Sequence, residues 1–116
     1  MKPVVVFHNP RCSKSRQALA LLDSRSIQYK TFLYLENEIS YKDFVRILGL
    51  LKIKPRDILR VKEKEYLENN LNDMDLTDEE IIKILLKNRK LIERPIAIKG
   101  EKAVIARPPE KVFQVL

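Results

Sequence analysis

The sequence predicts an α/β protein: a small mixed sheet laid down as βαβ and then ββα, with a helical insertion of about fifty residues between the halves. Three observations carry this. Two short β-branched or aromatic runs, Pro3 to Phe7 and Tyr29 to Leu35, flank an apolar-periodic run from about Ser13 to Ser24. Residues from about 40 to 90 have the spacing of amphipathic helices. Beyond them, two more apolar runs surround Gly100 as a hairpin would.

Each element has its own local reason. Pro3 to Phe7 is short, rich in valine and closed by the turn residues Asn9 and Pro10, which marks a buried strand. Ala18, Leu19, Leu21 and Leu22 recur at helical spacing. Tyr29 to Leu35 is rich in residues that favour strands. Strand, helix and strand in so short a span form a βαβ unit, with the two strands parallel and the crossover right-handed. Ser40 and Asp43 make an N-terminal capping pair ahead of Tyr41, Phe44, Val45 and Leu48. Pro55 opens a stretch with Ile58 and Leu59, and Thr77 with Glu80 forms a capping box ahead of Ile81, Ile82, Leu85 and Leu86. Pro95 to Ile98 and Ala103 to Ala106 read as the hairpin. Pro108 and Pro109 introduce a last helix with Val112, Phe113, Val115 and Leu116.

At 116 residues the chain is read as one domain, 1–116, with the helical insertion at about 40–90. No apolar run is long enough to span a bilayer and no signal peptide is recognisable, so the expected location is the cytoplasm. The net charge of +7 invites nucleic acid as a partner. Yet the cations are dispersed, interrupted by Asp73-Met74-Asp75 and Asp78-Glu79-Glu80, and there is no basic arm. A basic solvated surface or an anionic small substrate is the better reading, and neither nucleic acid nor membrane is expected. Two glycines rule out a Gly-rich phosphate loop, and one cysteine with one histidine cannot build a zinc site.

The single cysteine, Cys12, sits in His8-Asn9-Pro10-Arg11-Cys12-Ser13-Lys14-Ser15-Arg16, a turn between strand and helix. A lone cysteine is more commonly a buried structural residue. Cys12, however, lies at the start of a helix, where unpaired N–H groups and the helix dipole stabilise an anion. Arg11, Lys14 and Arg16 add positive charge, and reactive thiols favour such electropositive turns. Cys12 is therefore read as a nucleophilic thiolate.

The element order matches the thioredoxin-like fold, in which Pro95 stands where such folds carry a cis-proline facing the active thiol. Arg94 then approaches Cys12, and Arg60 and Arg107 are further planar forks suited to a tetrahedral oxyanion. Taken singly, each of these arginines also reads as a surface or ion-pair residue.

The active turn resembles that of the glutaredoxin-coupled arsenate reductase family, whose pattern is Asn-Pro-x-Cys-x-x-Ser-Arg. Leu33-Tyr34-Leu35-Glu36, Leu59-Arg60, Glu93-Arg94-Pro95-Ile96 and Ala106-Arg107-Pro108 are similar to the family too, and in family order. The resemblance implies that Cys12 attacks arsenate or a similar oxyanion, and that Arg60, Arg94 and Arg107 bind it. It implies that Ser15 holds the thiolate by its hydroxyl, that His8 supports the thiolate's electrostatics and that Asn9 shapes the turn. Ser15 as a first-turn residue, His8 as a satisfied imidazole and Asn9 as a plain turn former remain open alternatives. With no second cysteine, an outside thiol must resolve the adduct. The resemblance makes it glutathione followed by glutaredoxin, with no bound cofactor or metal and a monomer as the default.

Two departures stand out: Ser13-Lys14 replaces the Gly-Thr of studied members, and the sequence stops at Leu116 where longer members continue. The rival reading is an Spx-type regulator that binds RNA polymerase, but such sensors use Cys-x-x-Cys, and Cys12-Ser13-Lys14-Ser15 cannot close a disulfide. A glutathione-dependent thiol oxidoreductase with another substrate is the remaining alternative.

Overall fold

The computed structural model describes residues 2–116. The chain divides into two units, one formed by residues up to Asn37 together with Arg94–Leu116 and the other by Glu38–Glu93.

The first unit is built on a four-stranded sheet of order β2-β1-β3-β4, with β1 at Val4–Phe7, β2 at Tyr29–Phe32, β3 at Ile96–Lys99 and β4 at Lys102–Ile105. β1 pairs parallel with β2, as the βαβ reading requires, and antiparallel with β3, which forms the hairpin with β4 around Gly100. Gly100 has φ +61°, a conformation that suits a residue without Cβ. Helix α1, Ser13–Ser24, buries Ala18 and Leu22 against Val4 and Val6 of β1, Ala97 of β3, and Val112 and Val115. Each such Val or Leu contributes about 1.5–3 kcal/mol by leaving water.

The last segment, Pro109–Val115, is a 3-10 helix. Its three buried residues, Pro109, Val112 and Val115, are spaced three apart and eclipse on a three-residue turn. β2 also stops earlier than expected: beyond Phe32 the chain turns, with Glu36 N–H and Asn37 N–H both donating to Leu33 O at 3.0 and 3.1 Å.

In the second unit the expected run of helix is broken into α2 (Tyr41–Leu51), α3 (Lys64–Glu68) and α4 (Asp78–Lys87), with 3-10 turns at Pro55–Ile58 and Arg89–Leu91. The interruptions have local causes. Lys52 closes α2 in the left-handed region (φ 58°, ψ 41°), and Pro55 confines Lys54 to an extended conformation. The two capping expectations appear as hydrogen bonds: Asp43 N–H to Ser40 Oγ at 3.1 Å, and the reciprocal Thr77–Glu80 box at 3.0 and 3.1 Å. Phe44, Ile47 and Leu48 of α2 and Ile81, Ile82 and Leu85 of α4 are buried, and Leu59 bridges to Ile92. Among the described residues no helix is long and apolar enough to cross a membrane.

Candidate active site

Register decides what gathers at one end of the sheet. Phe7 is opposite both Phe32 and Ile96, and Ile96 is opposite Ile105. The residues just past these positions, His8, Leu33, Pro95 and Ala106, therefore share that end, tied by His8 N–H to Phe32 O (3.0 Å) and Ala106 N–H to Pro95 O (2.8 Å). The Arg94–Pro95 and Arg107–Pro108 peptide bonds are both cis.

The active turn is organised by short-range bonds. Cys12 N–H donates to Asn9 O at 2.9 Å, and Arg11 N–H donates to Asn9 Oδ1 at 3.0 Å, so Asn9 braces the turn through both its oxygens. Cys12 is the N-cap of α1, in an extended conformation (φ −94°, ψ 121°), and its side chain is buried to 8% exposure. A buried thiolate is unfavourable in itself, and burial pushes the Cys12 thiol up. The opposing effects win: the Ser15 backbone N–H, the Arg94 guanidinium by hydrogen bond and by charge, and the Lys14 backbone N–H together hold it below its ordinary value. Cys12 thus has the environment of a nucleophile.

His8 and Ser15 are both buried, and Nδ1 of one lies 2.5 Å from Oγ of the other. Ser15 Oγ also accepts from Asn9 N–H at 3.1 Å. Ser15 thus meets the sulfur through its backbone N–H, while its hydroxyl joins His8 to the turn. Burial, and next the charge of Arg16, hold the His8 imidazole below its ordinary value, which favours the neutral ring. Arg16 has a further part that charge counting did not reveal: its Nη1 donates to Pro10 O at 2.8 Å, clasping the turn from α1.

Arg107 Nη1 donates to Arg94 O at 3.0 Å, so the two arginines are linked through a backbone carbonyl beside the thiol's cationic partner. Arg60 belongs to the other unit. There its Nη1 lies 2.5 Å from Glu93 Oε1 and its Nε 3.5 Å from Glu63 Oε1. No group of three His, Cys, Asp or Glu among the described residues is placed to hold a metal.

A single cysteine at a helix N-terminus, with a cis-proline at the same end of a β2-β1-β3-β4 sheet, defines a monothiol protein of the thioredoxin-like class. A family model described as the ArsC family matches residues 7–115. The chain belongs to the ArsC family. It is similar to an arsenate reductase of Haemophilus influenzae, 43% identical over 97% of this chain and 98% of that protein. Another arsenate reductase, from Neisseria meningitidis serogroup A, is 38% identical over the whole of both chains. Among solved structures, an arsenate reductase from Vibrio cholerae superposes with a TM-score of 0.95 at 40% identity, covering 99% of this chain and 98% of that one.

Proposed function

We propose that this protein reduces arsenate to arsenite through a covalent adduct on Cys12, with glutathione and glutaredoxin as the outside thiols. The observation that carries the reading is that the Ser15 and Lys14 backbone N–H groups and the Arg94 guanidinium hold the Cys12 thiol below its ordinary pKa against the effect of burial. This supports a nucleophile with an anion-binding group beside it. The arsenate reductases among its relatives supply the oxyanion.

The steps balance as follows. Cys12 Sγ attacks As(V), an As–O bond breaks, and the oxygen leaves as water. Arg94 and Arg107 offset the oxyanion's charge while this occurs. Glutathione thiolate then adds to arsenic, and a second oxygen leaves as water. Glutaredoxin thiolate attacks the glutathione sulfur, giving a mixed disulfide, and the S–As electron pair passes to arsenic, making As(III). Water cleaves the Cys12–S–As bond, which releases arsenite and restores the thiol. Two thiols become one disulfide, matching the two electrons gained by arsenic. Only the one cysteine of this chain is needed, and no bound cofactor or metal. Asn9 and Ser15 keep the turn in shape, His8 stays neutral beneath it, and Arg60 is a third oxyanion ligand by resemblance. The protein acts as a cytoplasmic monomer.

The test is arsenate-dependent NADPH oxidation in the presence of glutathione, glutaredoxin and glutathione reductase, with Cys12→Ser in parallel. Turnover that needs arsenate, glutathione and Cys12 is the expected result. A folded protein with reactive Cys12 but no arsenate-dependent turnover overturns the reading.

A further inference from the structure

A cavity of about 410 Å³ lies beside the active turn, lined by His8, Asn9, Pro10 and Arg11 on one wall and by Leu33, Leu35 and Glu36 on the other. It is enclosed by two segments of the first unit that β1 and β2 deliver to the same end of the sheet. The cavity holds one cation and one anion, Arg11 and Glu36, and both are exposed. Although opposite in charge and on the same cavity, they do not pair. Ion pairs formed elsewhere include Arg60 with Glu63 and Glu93, and Lys83 with Glu79. The intervening surface of Pro10, Leu33 and Leu35 is apolar.

We infer that this cavity is the docking site of the resolving thiol, and that the thiol is a small zwitterionic peptide held by its carboxylate on Arg11 and its ammonium on Glu36. The inference rests on the arsenate-reduction reading for the reaction and for glutathione as the thiol, and on the cavity for where that thiol docks. Two opposite charges held apart across a cavity are complementary to a molecule that carries both charges separated by an aliphatic backbone. Glutathione has one ammonium and two carboxylates. Arg11 offers a planar fork that takes a carboxylate in bidentate fashion. Glu36 is presented on a firm turn, since its N–H and that of Asn37 both donate to Leu33 O, which Asn37 Nδ2 also reaches at 3.0 Å. Arg11 is fixed at its backbone by Asn9 Oδ1, one residue before the nucleophile. The cavity wall ends at Arg11, the residue before Cys12, and Arg94 does not line it, so a ligand here leaves the Arg94 fork to the oxyanion.

The experiment uses S-methylglutathione, which has the charges of glutathione without a reactive thiol. Titrated into the whole protein, it is expected to shift amide resonances of residues 8–11 and 33–36 in a saturable way. Arg11→Ala and Glu36→Ala should each weaken that binding about fivefold, the worth of one exposed charge pair. In turnover, both variants should raise the KM for glutathione by a similar factor relative to the KM for arsenate. The uncharged thiol 2-mercaptoethanol should drive wild type and both variants alike. If 2-mercaptoethanol drives Cys12-dependent arsenate reduction but S-methylglutathione leaves residues 8–11 and 33–36 unshifted, the docking site is wrong and the reductase reading stands. If S-methylglutathione binds there and no thiol supports arsenate reduction, the docking site stands and the reading of the substrate falls.

Discussion

His8 Nδ1 and Ser15 Oγ stand 2.5 Å apart inside the protein, seven residues separated in sequence and on opposite sides of the nucleophile. The bond joins the end of β1 to the first turn of α1 directly beneath the active turn. The same Oγ receives Asn9 N–H, so one hydroxyl serves two buried or half-buried partners. Removing it strands both. Ser15→Ala is expected to cost about 1–3 kcal/mol of stability, the usual penalty for leaving buried polar groups unpaired. Urea unfolding of the two proteins measures it; a loss below half a kcal/mol shows that the hydroxyl is not a structural tie.

A pH dependence follows from the imidazole. Burial and then the charge of Arg16 lower the His8 pKa in the fold, so the unfolded chain takes up a proton at a pH where the native protein does not. The stability that His8 contributes is full above the unfolded value of about 6.5 and is lost as pH falls toward the depressed folded value. Unfolding midpoints should therefore fall on acidification below neutrality more steeply in wild type than in His8→Gln. Equal slopes, or a His8 that titrates above 6.5 by NMR, contradict the expectation.

Arg94 helps hold the Cys12 thiol down in pKa, and in the proposed reaction its fork also takes the oxyanion. Arg94→Ala should therefore raise the Cys12 pKa and slow its alkylation at neutral pH. It should also lower kcat for arsenate about a hundredfold, the usual cost of one preorganised donor on a developing anion. Arg94→Lys keeps the charge and loses the planar fork, and is expected to restore alkylation better than turnover. Thiolate absorbance against pH and steady-state rates separate the two effects. Unchanged thiolate titration in Arg94→Ala would remove Arg94 from the site.

Much of this was legible in the sequence because the signals were local. The Val4–Phe7 strand, the Ser13–Ser24 helix, the Gly100 hairpin and the Thr77 box each follow from neighbours a few residues apart. Helicity between 40 and 90 was overread, since amphipathic spacing continues through segments that Lys52, Pro55 and Asn70 break by backbone conformation alone. The last helix turns every three residues, so that Pro109, Val112 and Val115 pack together, and the prolines that introduce it do not set its pitch. In the site, Cys12 was readable from its charged turn. The Arg16–Pro10 clasp and the Arg107–Arg94 link were not: each joins an exposed or half-exposed arginine to a backbone carbonyl, and a carbonyl has no sequence signature.

Arg60 sets a competition. Its guanidinium is half-buried and bound to Glu93 Oε1 at 2.5 Å, with Glu63 farther off at 3.5 Å. A carboxylate so close partly cancels the charge that an oxyanion feels, and a bound oxyanion must share the fork with it. Replacing Glu93 by glutamine keeps the shape and removes the negative charge. If Arg60 contributes to arsenate binding, Glu93→Gln should lower the KM for arsenate about threefold while Arg60→Ala raises it about tenfold, the range expected for one charge-assisted contact. If Glu93 affects arsenate binding through the arginine, the double variant should resemble Arg60→Ala. Steady-state KM values for the four proteins close the cycle. An Arg60→Ala protein with an unchanged KM and a loss of stability of about 1 kcal/mol marks Arg60 as a structural ion pair of the second unit.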